Sequence, residues 1–123
     1  LKPDYYPAIV VPKALAIGPR IQSTFAKAYK RGVPIAFGTD AGVFEHGQNA
    51  KEFIYMTEAG MPFMKVLQAA TVTNAMLLDM DKKIGVIAPG FLADIIATED
   101  DPTLNVSAVL NVVFVMKEGV VFK

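Results

Sequence analysis

Among the 123 residues of this chain, Asp40 is the first whose type and setting could do chemistry. It stands in Gly38-Thr39-Asp40-Ala41-Gly42, directly after the apolar run Val33-Pro34-Ile35-Ala36-Phe37. A carboxylate so placed can bind a divalent cation, or it can take a proton from an attacking water. Hydrolytic metal sites combine the two, because the ion lowers the pKa of bound water from about 15.7 to about 7 and a nearby base removes the remaining proton. Asp also starts turns and caps helices, so its type alone does not choose between these roles. The single His of the chain, His46, follows in the same glycine-bounded stretch. It could touch a substrate carboxylate or carbonyl, bind a metal, or hold the loop by a hydrogen bond. Glu45 beside it is a solvated charge or a further acid–base group. The Thr39 hydroxyl is placed to steady the loop.

The elements around Asp40 give it a position. Ala14, Ile17, Ile21, Phe25 and Ala28 recur at three- and four-residue steps, which predicts a helix beginning after Pro12. Pro19 either kinks this helix or starts a second one, and Lys30, Arg31 and Gly32 mark its end. The lead-in Leu1 to Val11 reads as loop with an extended piece at Ala8 to Val11. Val33 to Phe37 then reads as a buried strand, and parallel α/β folds build their sites at the C-terminal tips of such strands. After the Asp40 loop, Asn49-Ala50-Lys51-Glu52 reads as a capping box opening a helix that runs to Gly60. A second helix follows from Pro62 through Ala70, and a third from Thr73 through Leu78. From Ile84 the pattern turns to strands: Ile84 to Ile87 and Ala93 to Ala97 across a Pro89-Gly90 turn, then a hairpin of Val112 to Met116 with Val120 to Phe122 turning at Lys117-Glu118-Gly119. Asp100-Asp101-Pro102 is a loop. No repeat or low-complexity linker interrupts the chain.

Composition narrows the function classes. The chain is 53% hydrophobic, above the ~45 to 50% usual for soluble domains, which predicts apolar surface left exposed on this chain alone. Charges, Gly and Pro break every apolar run well short of the ~20 residues of a membrane span. Formal net charge is zero, which gives no electrostatic reason to expect nucleic acid or an acidic membrane as partner. Without Cys there is no disulfide framework, thiolate metal site or thiol nucleophile. Nothing in these features specifies a compartment or an oligomeric state.

Four stretches taken in order carry a resemblance: FGTDAGVFEHGQNAKEF from Phe37, TEAGMPFMKVLQAATVTNAMLL from Thr57, IGVIAPGFLADIIA from Ile84 and VFVMKEGVVF from Val113. Over roughly residues 13 to 123 the chain resembles the C-terminal part of metal-dependent hydrolases of the amidohydrolase superfamily. The HGQNAKEF continuation is most similar to its prolidase-like and imidazolonepropionase-like branch. The resemblance implies an α/β fold, the C-terminal fragment of a (β/α)8 TIM-like barrel followed by strands of a small β-sandwich. Residues 1–80 would be the end of the barrel and residues 81–123 the sandwich strands. A whole barrel takes about 250 residues, so the N-terminal part of the barrel is the partner this fragment implies. The His-x-His pair, bridging Lys and later His ligands of the family pattern have no counterpart here.

By the same resemblance, Asp40 is the metal ligand and general base that returns the proton to the leaving amine, and His46 is a candidate for substrate binding. Asp94, in the LADII stretch, is expected to make a structural hydrogen bond. The implied cofactor is a divalent metal, with Zn2+ favoured and one or two ions possible in the parent, none held tightly by this fragment alone. The implied substrate is a small dipeptide or N-acyl amino acid, with the parent most like an Xaa-Pro dipeptidase. A cyclic-amide hydrolase of the imidazolonepropionase kind is the enzyme alternative. A folding or complementation module without catalysis is the non-enzymatic one.

Overall fold

A computed structural model describes residues 7–42 and 46–123. The expected loop at Leu1 to Tyr6 and the candidate Glu45 lie outside the described residues. The chain divides into two compact units, Leu1–Val33 and Pro34–Lys123.

The first unit is a single helix, α1 (Val10–Lys30), which runs uninterrupted through Pro19. It begins earlier than the sequence predicts, and the extended piece expected at Ala8 to Val11 is absent. The reason is that Pro12 falls in the first turn, where backbone N–H groups have no intrahelical acceptor and a missing one costs nothing. The end agrees with the sequence. Gly32 N–H donates to Tyr29 O at 2.9 Å and Val33 N–H to Ala28 O at 3.2 Å, the paired bonds of a Schellman motif. The apolar stripe leaves Ile17 and Ile21 at 50% and 63% exposure, the exposed apolar surface that composition foretells.

The second unit opens with residues 34–40, which like Val33 before them carry no regular structure. The predicted strand at Val33 to Phe37 is therefore corrected. A strand exists by sharing its N–H and C=O groups with a neighbouring strand, and among the described residues the backbone of Phe37 instead meets helical residues. Then come α2 (Lys51–Glu58), α3 (Phe63–Gln68), a π-helical turn (Ala69–Thr73) and α4 (Asn74–Leu77). The last three form one path where two helices are expected. Met56, Met61, Val66, Ala69 and Ala75 make the core, joined by Ala108 and Val109 from the short 3-10 helix Val106–Leu110. Gly60 closes α2 with a second Schellman motif, Met61 N–H reaching Met56 O at 3.2 Å. Both methionines are buried, the apolar contact that accompanies this motif.

Ile84 to Ile87, expected as a strand, is bent instead. Gly85 sits at φ 97°, outside the strand region of backbone space. A Cβ there would lie 2.9 Å from Ala75 Cβ and 3.2 Å from Thr71 O. Close packing onto the helical path, not alternation of apolar residues, sets this segment's conformation.

The sheet has three antiparallel strands in the order β1 (Ile95–Thr98), β2 (Val112–Lys117), β3 (Val120–Val121). Ile95 pairs with Met116 and Ile96 with Val115, and the register shifts between Ala97 and Thr98. Met116 pairs with Val121 and Lys117 with Val120, so the hairpin turns on Glu118-Gly119. Both turn residues have positive φ, 50° and 82°, as a type I′ turn requires.

Asp94 buttresses that turn, the structural bond expected of it. Its Oδ1 accepts the Glu118 N–H at 2.8 Å and its Oδ2 meets Lys117 Nζ at 2.8 Å. The hydrogen bonds from Lys117 and from the Glu118 backbone hold the Asp94 carboxyl below its ordinary range, and the bond to Asp94 raises Lys117. Because the unfolded chain binds the Asp94 proton more readily, its stabilising share is present above the ordinary carboxylate pKa of about 3.9 and is lost as pH falls through the lower folded value. The Lys117 share is lost only as pH rises through a folded value above about 10.4. Asp94→Asn is accordingly expected to lower the urea midpoint at pH 7, with the difference from the unsubstituted chain closing in acid. Parallel denaturation curves at several pH values check this, and a difference independent of pH would remove the ionic role.

Candidate active site

The segment that ends in Asp40 is fastened to the helical path from three sides. Phe37 N–H donates to Asn74 Oδ1 at 3.1 Å and, more weakly, to Ala69 O at 3.3 Å. Asn74 Nδ2 in turn donates to Phe37 O at 3.0 Å. The Phe37 ring lies 4.4 Å from that of Phe53 on α2, tilted by 39°, and Phe53 stands 6.2 Å from Phe63 on α3. These centroid spacings are those of favourable tilted aromatic pairs or just inside them. Two residues further on, Thr39 Oγ1 accepts from Asn49 Nδ2 at 3.0 Å. This bond ties together the two ends of the loop that holds Asp40 and His46. Thr39 thus steadies the loop, as its hydroxyl suggests.

Asp40 itself is exposed, with φ 49°. Left-handed backbone is uncommon for residues with a Cβ, and Asp and Asn tolerate it best because a short polar side chain can bond locally. His46 is exposed as well. Among the described residues the structure joins neither side chain to a partner, nor the two to each other. Nor does it gather three or more His, Cys, Asp or Glu side chains into a group that could hold a metal ion. A zinc site takes at least three protein ligands, so the described residues do not by themselves fit a complete metal site.

Two further features lie near the Asp40 loop or compete with it as a site. Glu52, in the first turn of α2, is half-buried, and burial pushes its carboxyl above the ordinary range. A cavity of about 230 Å³ is lined by Ile87, Phe91, Leu92 and Ile95 with Ala88, Pro89 and Ala93. No side chain in that lining carries a group for acid–base chemistry, so the exposed Asp40 loop remains the candidate site.

The predicted capping box is not formed: α2 has Ala50 at its N-cap with no side-chain cap bond, and the Lys51 and Glu52 N–H groups donate to the backbone carbonyls of Gln48 and Asn49 instead, while Asn49 Nδ2 donates to Thr39. Asn74 went unnoticed in the sequence beyond its place in a helix. A signal for it was there, since Asn is a poor helix former whose amide seeks other backbone groups.

The family model "Amidohydrolase family" matches residues 11–122, and the chain belongs to that family. No curated protein sequence matches it. Among solved structures, a Xaa-Pro dipeptidase with bound methionine in its active site is 50% identical over 99% of this chain, with a TM-score of 0.90. An amidohydrolase from Thermotoga maritima MSB8 is 27% identical over 83% of the chain, with a TM-score of 0.70. A prolidase complexed with N-methylphosphonate-L-proline is 24% identical over 97% of the chain and shares its fold, with a TM-score of 0.83. This chain spans 30% of the length of the first and third of these and 26% of the second.

Proposed function

We propose that this chain is the C-terminal part of a metal-dependent amide-bond hydrolase acting on Xaa-Pro or related small dipeptides. The observation that carries this reading is the 50% identity over 99% of the chain to a Xaa-Pro dipeptidase. In this reading residues 1–80 are the end of a barrel and residues 81–123 the strands of a small sandwich.

The amidohydrolase family generally uses divalent metals. Asp40 is the residue of this chain we assign to holding the ion, with Zn2+ the favoured one, and its other ligands belong to the rest of the parent. What Asp40 does by itself is hold a proton: its carboxylate takes one from the attacking water and returns it to the leaving amine. The loop bond between Thr39 and Asn49 keeps that carboxylate at the end of the clamped segment. His46, on the same loop, is assigned to the substrate.

Two measurements test the reading. The complete hydrolase is expected to release the C-terminal residue from Xaa-Pro dipeptides, whereas hydrolysis of a cyclic amide with no action on dipeptides would replace this reading with the imidazolonepropionase-like one. The 123-residue chain alone is expected to hydrolyse neither substrate and to lose added Zn2+ in a chelator wash, as checked by metal analysis. A tightly held ion that survives the wash would mean that Asp40, His46 and their neighbours form a site without the rest of the barrel.

A further inference from the structure

Asn74 spends its whole side-chain amide on the backbone of one residue far away in sequence. Nδ2 donates to Phe37 O at 3.0 Å and Oδ1 accepts Phe37 N–H at 3.1 Å. One residue giving and receiving both bonds is the way a hydrogen-bonded pair is made between antiparallel strands. Asn74 therefore stands in for a strand neighbour, and it does so three residues before Asp40.

The platform beneath it is firm. Asn74 opens α4 immediately after the π-helical turn, whose Ala69 carbonyl shares the same Phe37 N–H. At the other end, α4 is closed by Asp79 N–H to Met76 O at 3.1 Å and Met80 N–H to Ala75 O at 2.8 Å. Ala75, the next residue, is buried and in contact range of Gly85. The other two fastenings of the segment are less exacting. Aromatic packing of Phe37 on Phe53 is non-directional enough to tolerate sliding, and the Thr39–Asn49 bond is exposed, where water can replace either partner. The Asn74 pair fixes the backbone along and across its direction at once, since both bonds must keep their lengths and angles.

We propose that Asn74 is a positioning residue for Asp40: its amide holds the Phe37 backbone in register on α4 and so sets where the Asp40 carboxylate stands. The proposal rests on Asp40 being the catalytic carboxylate. Positional errors of about 1 Å at a reacting group cost up to about 100-fold in rate, which gives the scale of the effect.

The test is kinetic and is made in the complete hydrolase. Asn74→Ala removes both bonds. Asn74→Asp keeps the size and the acceptor but sets a second oxygen against Phe37 O. Both variants are expected to fold, and to lower kcat by about 10- to 100-fold with KM changed by less than about 3-fold. In an Asp40→Asn background, Asn74→Ala is expected to lower kcat by less than about 3-fold more, since a residue acting through Asp40 has nothing left to position. Near-normal kcat in both Asn74 variants alongside an inactive Asp40→Asn would overturn the positioning role and leave the Asp40 reading standing. Losses that multiply in the double variant, or a rise in KM alone, would place the action of Asn74 elsewhere. Should neither variant fold, as judged by circular dichroism, Asn74 is a stability residue and the proposal fails. An active Asp40→Asn enzyme would instead overturn the underlying reading.

Discussion

Asp40→Asn is expected to lower the kcat of the complete hydrolase by about 10²- to 10⁴-fold, the scale of losing a positioned general base. Loss of the metal along with the base would take the rate further down. The substitution is nearly isosteric and keeps an acceptor oxygen while removing the charge and the proton-accepting ability. It also adds no backbone strain, because Asn occupies the left-handed region as readily as Asp, and Asp40 sits there at φ 49°. The fold around the loop should therefore survive. His46→Asn, on the same exposed loop, is expected to raise KM with a smaller effect on kcat, the pattern of a group that touches substrate without taking part in bond breaking. Measuring kcat, KM and bound metal for both variants decides between these roles, and an Asp40→Asn enzyme with near-normal kcat would end the mechanism proposed for it.

Gly85→Ala is expected to be the most destabilising single-methyl change in the Pro34–Lys123 unit. The added carbon would lie 2.9 Å from Ala75 Cβ and 3.2 Å from the Thr71 carbonyl oxygen. Neither neighbour is the free end of a flexible side chain. Ala75 is 1% exposed, and both residues belong to the helical path beneath the Asp40 segment. Overpacking of this kind costs about 1 to 3 kcal/mol, and a side chain at φ 97° adds a backbone cost of about 1 to 2 kcal/mol. Gly90→Ala separates the two contributions. Gly90 has a similar φ of 90° but nothing within 4 Å of the added carbon, so it should lose only the backbone share. Urea denaturation of both variants is the measurement. Equal losses at Gly85 and Gly90 would mean that the contact with Ala75 and Thr71 carries no energy. Because Ala75 follows Asn74 directly, Gly85→Ala is also expected to loosen the Asn74–Phe37 clamp.

Helix ends and the hairpin were legible because their causes are local. Lys30, Arg31 and Gly32 terminate α1 where the sequence places its end, and Gly60 does the same for α2, since a Schellman motif needs only a residue free to turn left-handed and the carbonyls just behind it. Two turn residues between Lys117 and Val120 suffice for the β2–β3 hairpin, whereas the bonds of Asp94 to Lys117 and Glu118 join residues 23 and 24 positions apart and were expected only from the resemblance of the LADII stretch to the family. The four ordered stretches from Phe37 to Phe122 also pointed to the amidohydrolase family, and the family match over residues 11–122 agrees. The start of α1 lies two residues before Pro12, not after it, because a first helical turn accepts proline without loss.

What the tertiary structure alone decided concerns groups whose partners are distant in sequence. An apolar run such as Val33 to Phe37 can be a strand only where another strand offers donors and acceptors, and Phe37 meets an Asn amide 37 positions away instead. Ile84 to Ile87 alternates like a strand, yet close approach to Ala75 puts Gly85 in a conformation that no strand adopts. Asn49 Nδ2 reaches back to the Thr39 hydroxyl across the loop, a partner that its place before α2 does not suggest. The chain by itself thus determined its local turns, its helix ends and the residue types available for chemistry. Which backbone each side-chain amide would hold, and hence what fixes Asp40 in place, depended on three-dimensional proximity, because hydrogen bonds between remote residues form only after folding has brought them together.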